Sequence, residues 1–230
     1  MTSQDGGTRV TIIGVGPGDN GFLTLKAKQA VEEADLVAGF ATVLNVVRPF
    51  VKNAELCPMA YRDQEEVLDY AVGKVKQGKS LVVCAWGDLN VSAKELLDRV
   101  RRRVDHVDLI PGISSVQIAL VRSGISLEHA VFVTLHVRDG AESALEELVH
   151  YIKEGRRNVV LLPRPYDLMP AGIAAGVIEA GISGDRQMTV FQRLTHDDEQ
   201  SWSGSVSECA AITSDFSDLS IMVFHKPDSD

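Results

Sequence analysis

The stretch from Arg9 to Lys26 constrains this chain most. An apolar run, Val10 to Ile13, enters a loop holding Gly14, Gly16, Gly18 and Gly21, and a helical pattern starts directly after it. A β-branched run, a glycine turn and a helix open an α/β unit, and such turns lie at the carboxyl edge of a sheet, where open α/β folds bind ligands. Three glycines would serve a tight turn with positive φ, but their density in one loop favours close approach of a ligand. The same glycines invite a dinucleotide reading, and two residues argue against it. Pro17 removes an amide donor from the loop. Asp19 puts a carboxylate where a pyrophosphate would lie, at the positive end of the next helix, and an acid there suits a capping role.

A chain of 230 residues makes one large domain or two small ones that share a site. The net charge of −9 leaves no basic stripe for a phosphate backbone, which excludes a nucleic-acid binder. Arg101, Arg102 and Arg103 sit between Asp98 and Asp105 and read as a solvated helix end. No apolar run approaches the ~20 residues that span a bilayer. Met1 to Gly7 is short and polar, unlike a signal peptide, so a cytoplasmic protein is expected. Cys57, Cys84 and Cys209 have no metal-type spacing and read as reduced thiols, with no metal site expected.

Strand and helix patterns alternate along nearly the whole chain. Strands are predicted at Val10–Val15, Leu36–Ala38, Ala54–Cys57, Leu81–Ala85, His106–Ile110, Val131–Leu135, Asn158–Leu162, Met188–Leu194 and Leu219–Phe224. Helices are predicted at Thr24–Ala34, Gln64–Lys76, Ala93–Arg103, Val116–Ser123, Ala141–Lys153, Leu168–Ala180 and Ser205–Ala211, with Gly78, Gly155 and Gly181 as stops. Short loops with this alternation argue for α/β architecture with largely parallel sheets. The polar stretch Ser123–His129 reads as a seam, giving an N-terminal half of 8–123 and a C-terminal half of 130–226.

Three further strand-end loops hold polar residues that could carry chemistry. In Cys84-Ala-Trp-Gly-Asp-Leu-Asn90, Gly87 permits a sharp turn, and Asp88 either caps the next helix or sits beside a cationic ligand. In Ile110-Pro-Gly-Ile-Ser-Ser115, one serine serves as an N-cap and leaves the other hydroxyl for a ligand. In Thr134-Leu-His-Val-Arg138, His136 and Arg138 alternate, so on a strand both would face one side and could bind carboxylates. The acidic run Thr195-His-Asp-Asp-Glu199 spreads its side chains around the backbone and reads as a solvated loop. No nucleophile elbow, phosphate-binding Gly-Lys loop or Cys-x-x-Cys pair is present.

The run Val10-Thr-Ile-Ile-Gly-Val-Gly-Pro-Gly-Asp-Asn-Gly-Phe-Leu-Thr-Leu-Lys26, continuing to Gly39, resembles the opening signature of the tetrapyrrole (corrin/porphyrin) methylases. Gly87-Asp88 stands at that family's second motif. Pro111-Gly-Ile-Ser-Ser-Val-Gln117 with Leu135-His136-x-Arg138 is most similar to the cobalt-precorrin-7 carbon-5 methyltransferase branch, and Arg193-Leu-Thr with Asp198-Glu199 fits it too. The resemblance covers about residues 9–225. It implies two α/β subdomains with the active-site cleft between them, the first carrying a tetrapyrrole trough and a donor loop, the second carrying donor and dimer contacts. It implies S-adenosylmethionine as methyl donor, held by Trp86, Gly87, Asp88, Val91, Ser114, Ser115, Leu162, Pro163, Arg193 and Leu194. A cobalt-precorrin substrate would meet Gly16, Pro17, Gly18, Asp19, His136 and Arg138, with Lys26 and Arg164 as further cations for its carboxylate arms. No catalytic residue is assigned, since methyl transfer from a sulfonium needs orientation and exclusion of water more than acid–base groups. A homodimer is implied, and a separate decarboxylating methyltransferase subunit is a conceivable partner. The chain departs from the family pattern at Leu89, where a proline is usual; leucine frees φ and restores an amide donor.

Three other readings stay open at this point. One is another methylase of the superfamily, acting on a different precorrin carbon, on uroporphyrinogen or on the diphthamide precursor. Another is a nicotinamide-dependent oxidoreductase, which needs an acid at the end of the second strand for the ribose; Asp35 has the spacing but starts that strand. The last is a non-catalytic tetrapyrrole-binding protein.

Overall fold

The computed structural model describes residues 7–136, 141–165 and 167–227. It divides into two compact units, the break falling between Ser114 and Ser115. That is earlier than the polar seam at 123–129, because the intervening helix packs on the second sheet.

The first unit contains β1 (Arg9–Gly14), α1 (Leu25–Glu33), β2 (Leu36–Phe40), α2 (Ala41–Val47), β3 (Glu55–Met59), α3 (Gln64–Val75), β4 (Leu81–Ala85), α4 (Lys94–Arg101) and β5 (His106–Ile110). Its strands run parallel in the order β3-β2-β4-β1-β5. A parallel sheet needs cover on both faces, and strand alternation supplies two cores. Ile12, Ala38 and Val83 face α3 and α4 in one core. Ile13, Val37 and Cys84 face α1 and α2 in the other. In α4, Leu96, Leu97 and Val100 make the buried stripe, each worth roughly 1.5–3 kcal/mol when fully buried. Thr24 caps α1 by accepting the Ala27 amide at 3.2 Å, a device typically worth about 1 kcal/mol.

Helix α2 has no counterpart among the sequence-predicted helices. Its run Ala-Thr-Val-Leu-Asn-Val-Val is poor in helix formers, and its N-cap, Phe40, makes no side-chain cap bond. Burial of Val43, Leu44, Val46 and Val47 against the sheet overrides propensity there.

The second unit contains α5 (Ser115–Arg122), β6 (Ala130–Thr134), α6 (Ala141–Glu154), β7 (Asn158–Leu162), α7 (Pro170–Glu179), β8 (Gln187–Gln192), β9 (Gln200–Ser205), α8 (Val206–Ala210) and β10 (Ser220–Phe224). The sheet order is β6-β7-β10-β8-β9. Only β6 and β7 pair in parallel; β10 runs antiparallel to β7 and β8, and β8 antiparallel to β9. This sheet is therefore mixed, not largely parallel. Strand β9 is the element the sequence hides: Gln-Ser-Trp-Ser-Gly-Ser has one large apolar residue, as suits an edge strand that packs little. One face carries α6, α7 and α8; α5 contacts β7 and β10. Gly155 and Gly181 end α6 and α7 at φ of 67° and 88°. Among the described residues no helix is long and apolar enough to cross a membrane.

Candidate functional site

In the first sheet, β1 and β4 are neighbours whose onward connections run to opposite sides, so the loops after them define the topological switch point. Here that point is closed by main chain. The Val15 amide donates to the Ala85 carbonyl at 2.9 Å, and Gly16 and Gly87 exchange amide–carbonyl bonds of 3.2 and 2.9 Å. Gly16 and Gly87 have φ of 91° and 59°. The third loop, after β5, presses in with Gly112: a Cβ on Gly112 would lie 2.2 Å from the Gly87 carbonyl oxygen, and one on Gly14 would lie 2.5 Å from it. Glycines Gly14, Gly16 and Gly112 thus serve backbone packing between three loops. Pro-Gly at 111–112 reads in sequence only as a turn, and the close approach is a tertiary fact.

Asp88 is buried, and its carboxylate accepts the Gly112 amide at 3.0 Å and the Asn90 amide and side-chain NH2 at 2.9 Å each. It does not cap α4, whose N-cap is Ala93; it ties the second loop to the third. Leu89, in place of the family's proline, is buried in the core under α3 and α4. Trp86 is half-buried against the core under α1 and α2. Val91 is half-buried, its amide donating to the Asp88 carbonyl, and Ser114 is buried at the end of this unit.

The first loop spends most of its amides on the protein itself. Its Val15, Gly16, Gly21, Phe22 and Leu23 amides are all donated within the protein, and Pro17 has none. Asp19 caps the short 3-10 turn Asn20–Phe22 by accepting the Gly21 amide at 2.7 Å, while α1 takes its cap from Thr24. Pro17 is buried, Gly18 half-buried and Asp19 exposed. Asp35, the acid considered for a ribose, accepts the Ser80 amide and hydroxyl and pairs with Lys79. The Ser80 amide first, then Lys79, holds its carboxyl at about 2. It precedes β2, at the amino edge of the sheet, the wrong end for a ligand.

In the second sheet, register places the ends of β6, β7 and β8 on one edge with the starts of β9 and β10: Thr134 pairs with Leu162, Leu161 with Met222, and Gln192 with Ser220 and Gln200. That edge carries His136, Pro163 and the Arg193–Leu194 pair. His136 lies beyond the strand, its amide donating to the Thr134 hydroxyl at 3.1 Å. Although it keeps exposed surface, desolvation lowers the His136 imidazole below its usual range, against a hydrogen bond to the Pro163 carbonyl and with the Arg164 charge adding to the shift. The Arg164 fork is engaged by Asp167 at 2.8 and 2.6 Å. Lys26 is exposed on α1. Arg138 lies outside the described residues.

Segment 193–199 also departs from the sequence reading. Arg193 and Thr195 have φ of 53° and 69° with buried Leu194 between them, and Glu199 turns inward instead of into solvent.

An open parallel sheet whose switch point is closed by main chain, joined in one chain to a mixed sheet, defines a two-sheet α/β protein. The chain belongs to the tetrapyrrole (corrin/porphyrin) methylases, whose family model matches residues 9–210. It is an S-adenosylmethionine-dependent methyltransferase. It is 30% identical to a probable cobalt-precorrin-7 C(5)-methyltransferase of Methanocaldococcus jannaschii, over 94% of this chain and 97% of that protein. It is 28% identical to the cobalt-precorrin-4 C(11)-methyltransferase of the same organism, over 90% of this chain and 82% of that one. The crystal structure of uroporphyrin-III C-methyltransferase from Thermus thermophilus complexed with S-adenosylhomocysteine superposes with a TM-score of 0.74, at 20% identity over 94% and 92% of the two chains.

Proposed function

We propose that this chain transfers a methyl group from S-adenosylmethionine to carbon 5 of cobalt-precorrin-7 in cobalamin biosynthesis. The observation that carries the reading is its 30% identity to the probable C(5)-methyltransferase of Methanocaldococcus jannaschii over nearly the whole of both chains, together with Pro111-Gly-Ile-Ser-Ser-Val-Gln117 and the Leu135-His136-x-Arg138 motif. A corrin methylase acting at carbon 11 is the second reading, supported by the similarly long match to the C(11) enzyme.

The first loop fits such a donor. An adenosyl sulfonium has no phosphate, so it needs no cradle of free amides. In this reading the Gly87–Asp88 loop, with Trp86 and Val91, Ser114 and Ser115, and the strand-end pairs Leu162–Pro163 and Arg193–Leu194 hold the donor. Asp88 acts there by fixing the loop, because its carboxylate is occupied by Gly112 and Asn90. Gly16, Pro17, Gly18 and Asp19, with His136 and Arg138, receive the tetrapyrrole. When bound, the donor supplies a methyl whose bond to sulfur breaks as the bond to the ring carbon forms, with the sulfur leaving as a neutral thioether. The protein's part is to orient the two and keep water out. His136, its imidazole pKa depressed, stays neutral near pH 7; with its one N–H given to the Pro163 carbonyl, the other ring nitrogen can accept a hydrogen bond from the tetrapyrrole. The enzyme works in the cytoplasm as a homodimer, and a separate decarboxylating methyltransferase is its proposed partner.

Incubation with methyl-labelled S-adenosylmethionine and a panel of tetrapyrroles, followed by mass spectrometry and NMR of the product, tests the reading. Label at carbon 5 of cobalt-precorrin-7 is expected. Label at carbon 11 of cobalt-precorrin-4, or only on uroporphyrinogen, would replace it.

A further inference from the structure

The segment between β8 and β9 holds two non-glycine residues in the left-handed region within three positions, Arg193 at φ 53° and Thr195 at φ 69°. For a β-branched threonine this is a strained conformation that persists only where surroundings over-determine it. One carboxylate ties this segment to α5. Glu199 Oε2 accepts the Thr195 amide at 2.8 Å, and the Arg122 guanidinium on α5 grips the same carboxylate, Nε to Oε1 at 3.0 Å and an NH2 to Oε2 at 3.4 Å. Main-chain bonds complete the clasp: Arg193 donates to the Leu219 carbonyl, His196 to that of Arg193 and Glu199 to that of His196. The Arg193 side chain pairs with Asp198 at 2.7 Å. Burial raises the Glu199 carboxyl, but the Arg122 and Thr195 bonds outweigh it, and the group sits below its ordinary range. It is therefore charged whenever the clasp is closed at neutral pH.

We infer that Glu199 is a positioning residue for the methyl donor: its carboxylate, held by Arg122, locks residues 193–195 in the strained shape that presents the Leu194 main chain to the donor. This rests on the reading of Arg193–Leu194 as donor contacts given above. Without the clasp the two left-handed residues relax. The binding-competent shape is then a minor population, and apparent affinity falls by that fraction. None of the clasp's bonds reaches Gly16 to Asp19 or His136, so tetrapyrrole binding is expected to change little.

The test is calorimetric titration of the full chain with S-adenosylhomocysteine, with steady-state KM for donor and for tetrapyrrole, on wild type, Glu199→Ala, Glu199→Gln and Arg122→Ala. Glu199→Ala is expected to weaken donor binding about tenfold and raise donor KM in step, leaving tetrapyrrole KM within about twofold. Glu199→Gln keeps an oxygen for the Thr195 amide and should recover most of the loss. If Glu199→Ala does not fold, Arg122→Ala carries the test, with an expected weakening of about threefold or more. Donor affinity unchanged in the alanine variants, or an equal loss for both substrates, overturns the assignment. Failure of wild type itself to bind S-adenosylhomocysteine would instead overturn the donor reading, and this role with it.

Discussion

Gly112→Ala tests whether three loops meet backbone to backbone at the carboxyl edge of the first sheet. The added methyl would lie 2.2 Å from the Gly87 carbonyl oxygen and 2.7 Å from that of Gly14. Both are main-chain atoms, so no rotamer change relieves the clash. Overpacking a tight site costs about 1–3 kcal/mol where neighbours can shift. If the Gly87 loop is driven off, the paired Gly16–Gly87 bonds and the Asp88–Gly112 bond go with it. At about 1 kcal/mol for each neutral bond and 1.5–3 for the charged one, the upper limit is roughly 5 kcal/mol. The expected loss is therefore about 2–5 kcal/mol, a large share of the 5–15 kcal/mol typical of a domain. Urea unfolding followed by tryptophan fluorescence measures it. The two tryptophans divide between the units, so a Trp202→Phe background leaves Trp86, beside the mutated loop, as reporter. Gly73→Ala is the control: a Cβ there meets nothing within 4 Å on helix α3, and alanine should stabilise by about 0.5–1 kcal/mol. A Gly112→Ala midpoint shifted by less than the equivalent of about 1 kcal/mol, at unchanged m-value, would refute the packing account.

Asp88→Asn leaves one oxygen for two amides and turns an NH2 toward a donor, so stability should fall by about 1–3 kcal/mol, with a higher Kd for S-adenosylhomocysteine in calorimetry. Arg138→Ala is expected to weaken tetrapyrrole binding by a few kcal/mol with donor Kd unchanged, and Arg138→Lys to recover only part, because a point charge cannot form the bidentate pair; steady-state KM for each substrate checks both. For pH, the folded-state values of Asp35, Asp198 and Glu199 lie below their ordinary ones, so their stabilisation is complete above the unfolded pKa and is lost as pH falls, for Asp35 between near 4 and about 2. His225, beside Thr189 at 3.0 Å and lowered by desolvation, is protonated first in the unfolded chain, so a milder loss begins below about 6.5. Melting temperature against pH should show both limbs, with His225→Gln reducing the upper, to which His136 also contributes, and Asp35→Asn flattening the lower.

The sequence by itself determined the α/β class, the opening motif and most element positions, because these follow from local periodicity and turn chemistry. Asn158–Leu162 and Leu81–Ala85 are strands as predicted, since short apolar runs around a Val-Val pair, between turn residues, leave little choice. Pro17 and Asp19 argued against a pyrophosphate cradle from sequence, because a missing N–H is missing, and a carboxylate charged, in any fold. Tertiary structure decided what depends on distant partners. Helix α2 exists because a sheet buries its valines, and β9 exists because β8 offers it an edge to pair with. Asp88 is a tie between loops and not a helix cap, because Gly112, 24 residues away, brings its amide within 3.0 Å. Glu199, read as solvated among neighbouring acids, turns inward because Arg122, 77 residues earlier, supplies the compensating charge. Hydropathy and spacing report what a residue prefers on average; which donor or cation meets a given carboxylate is set only when segments far apart in the chain are brought together.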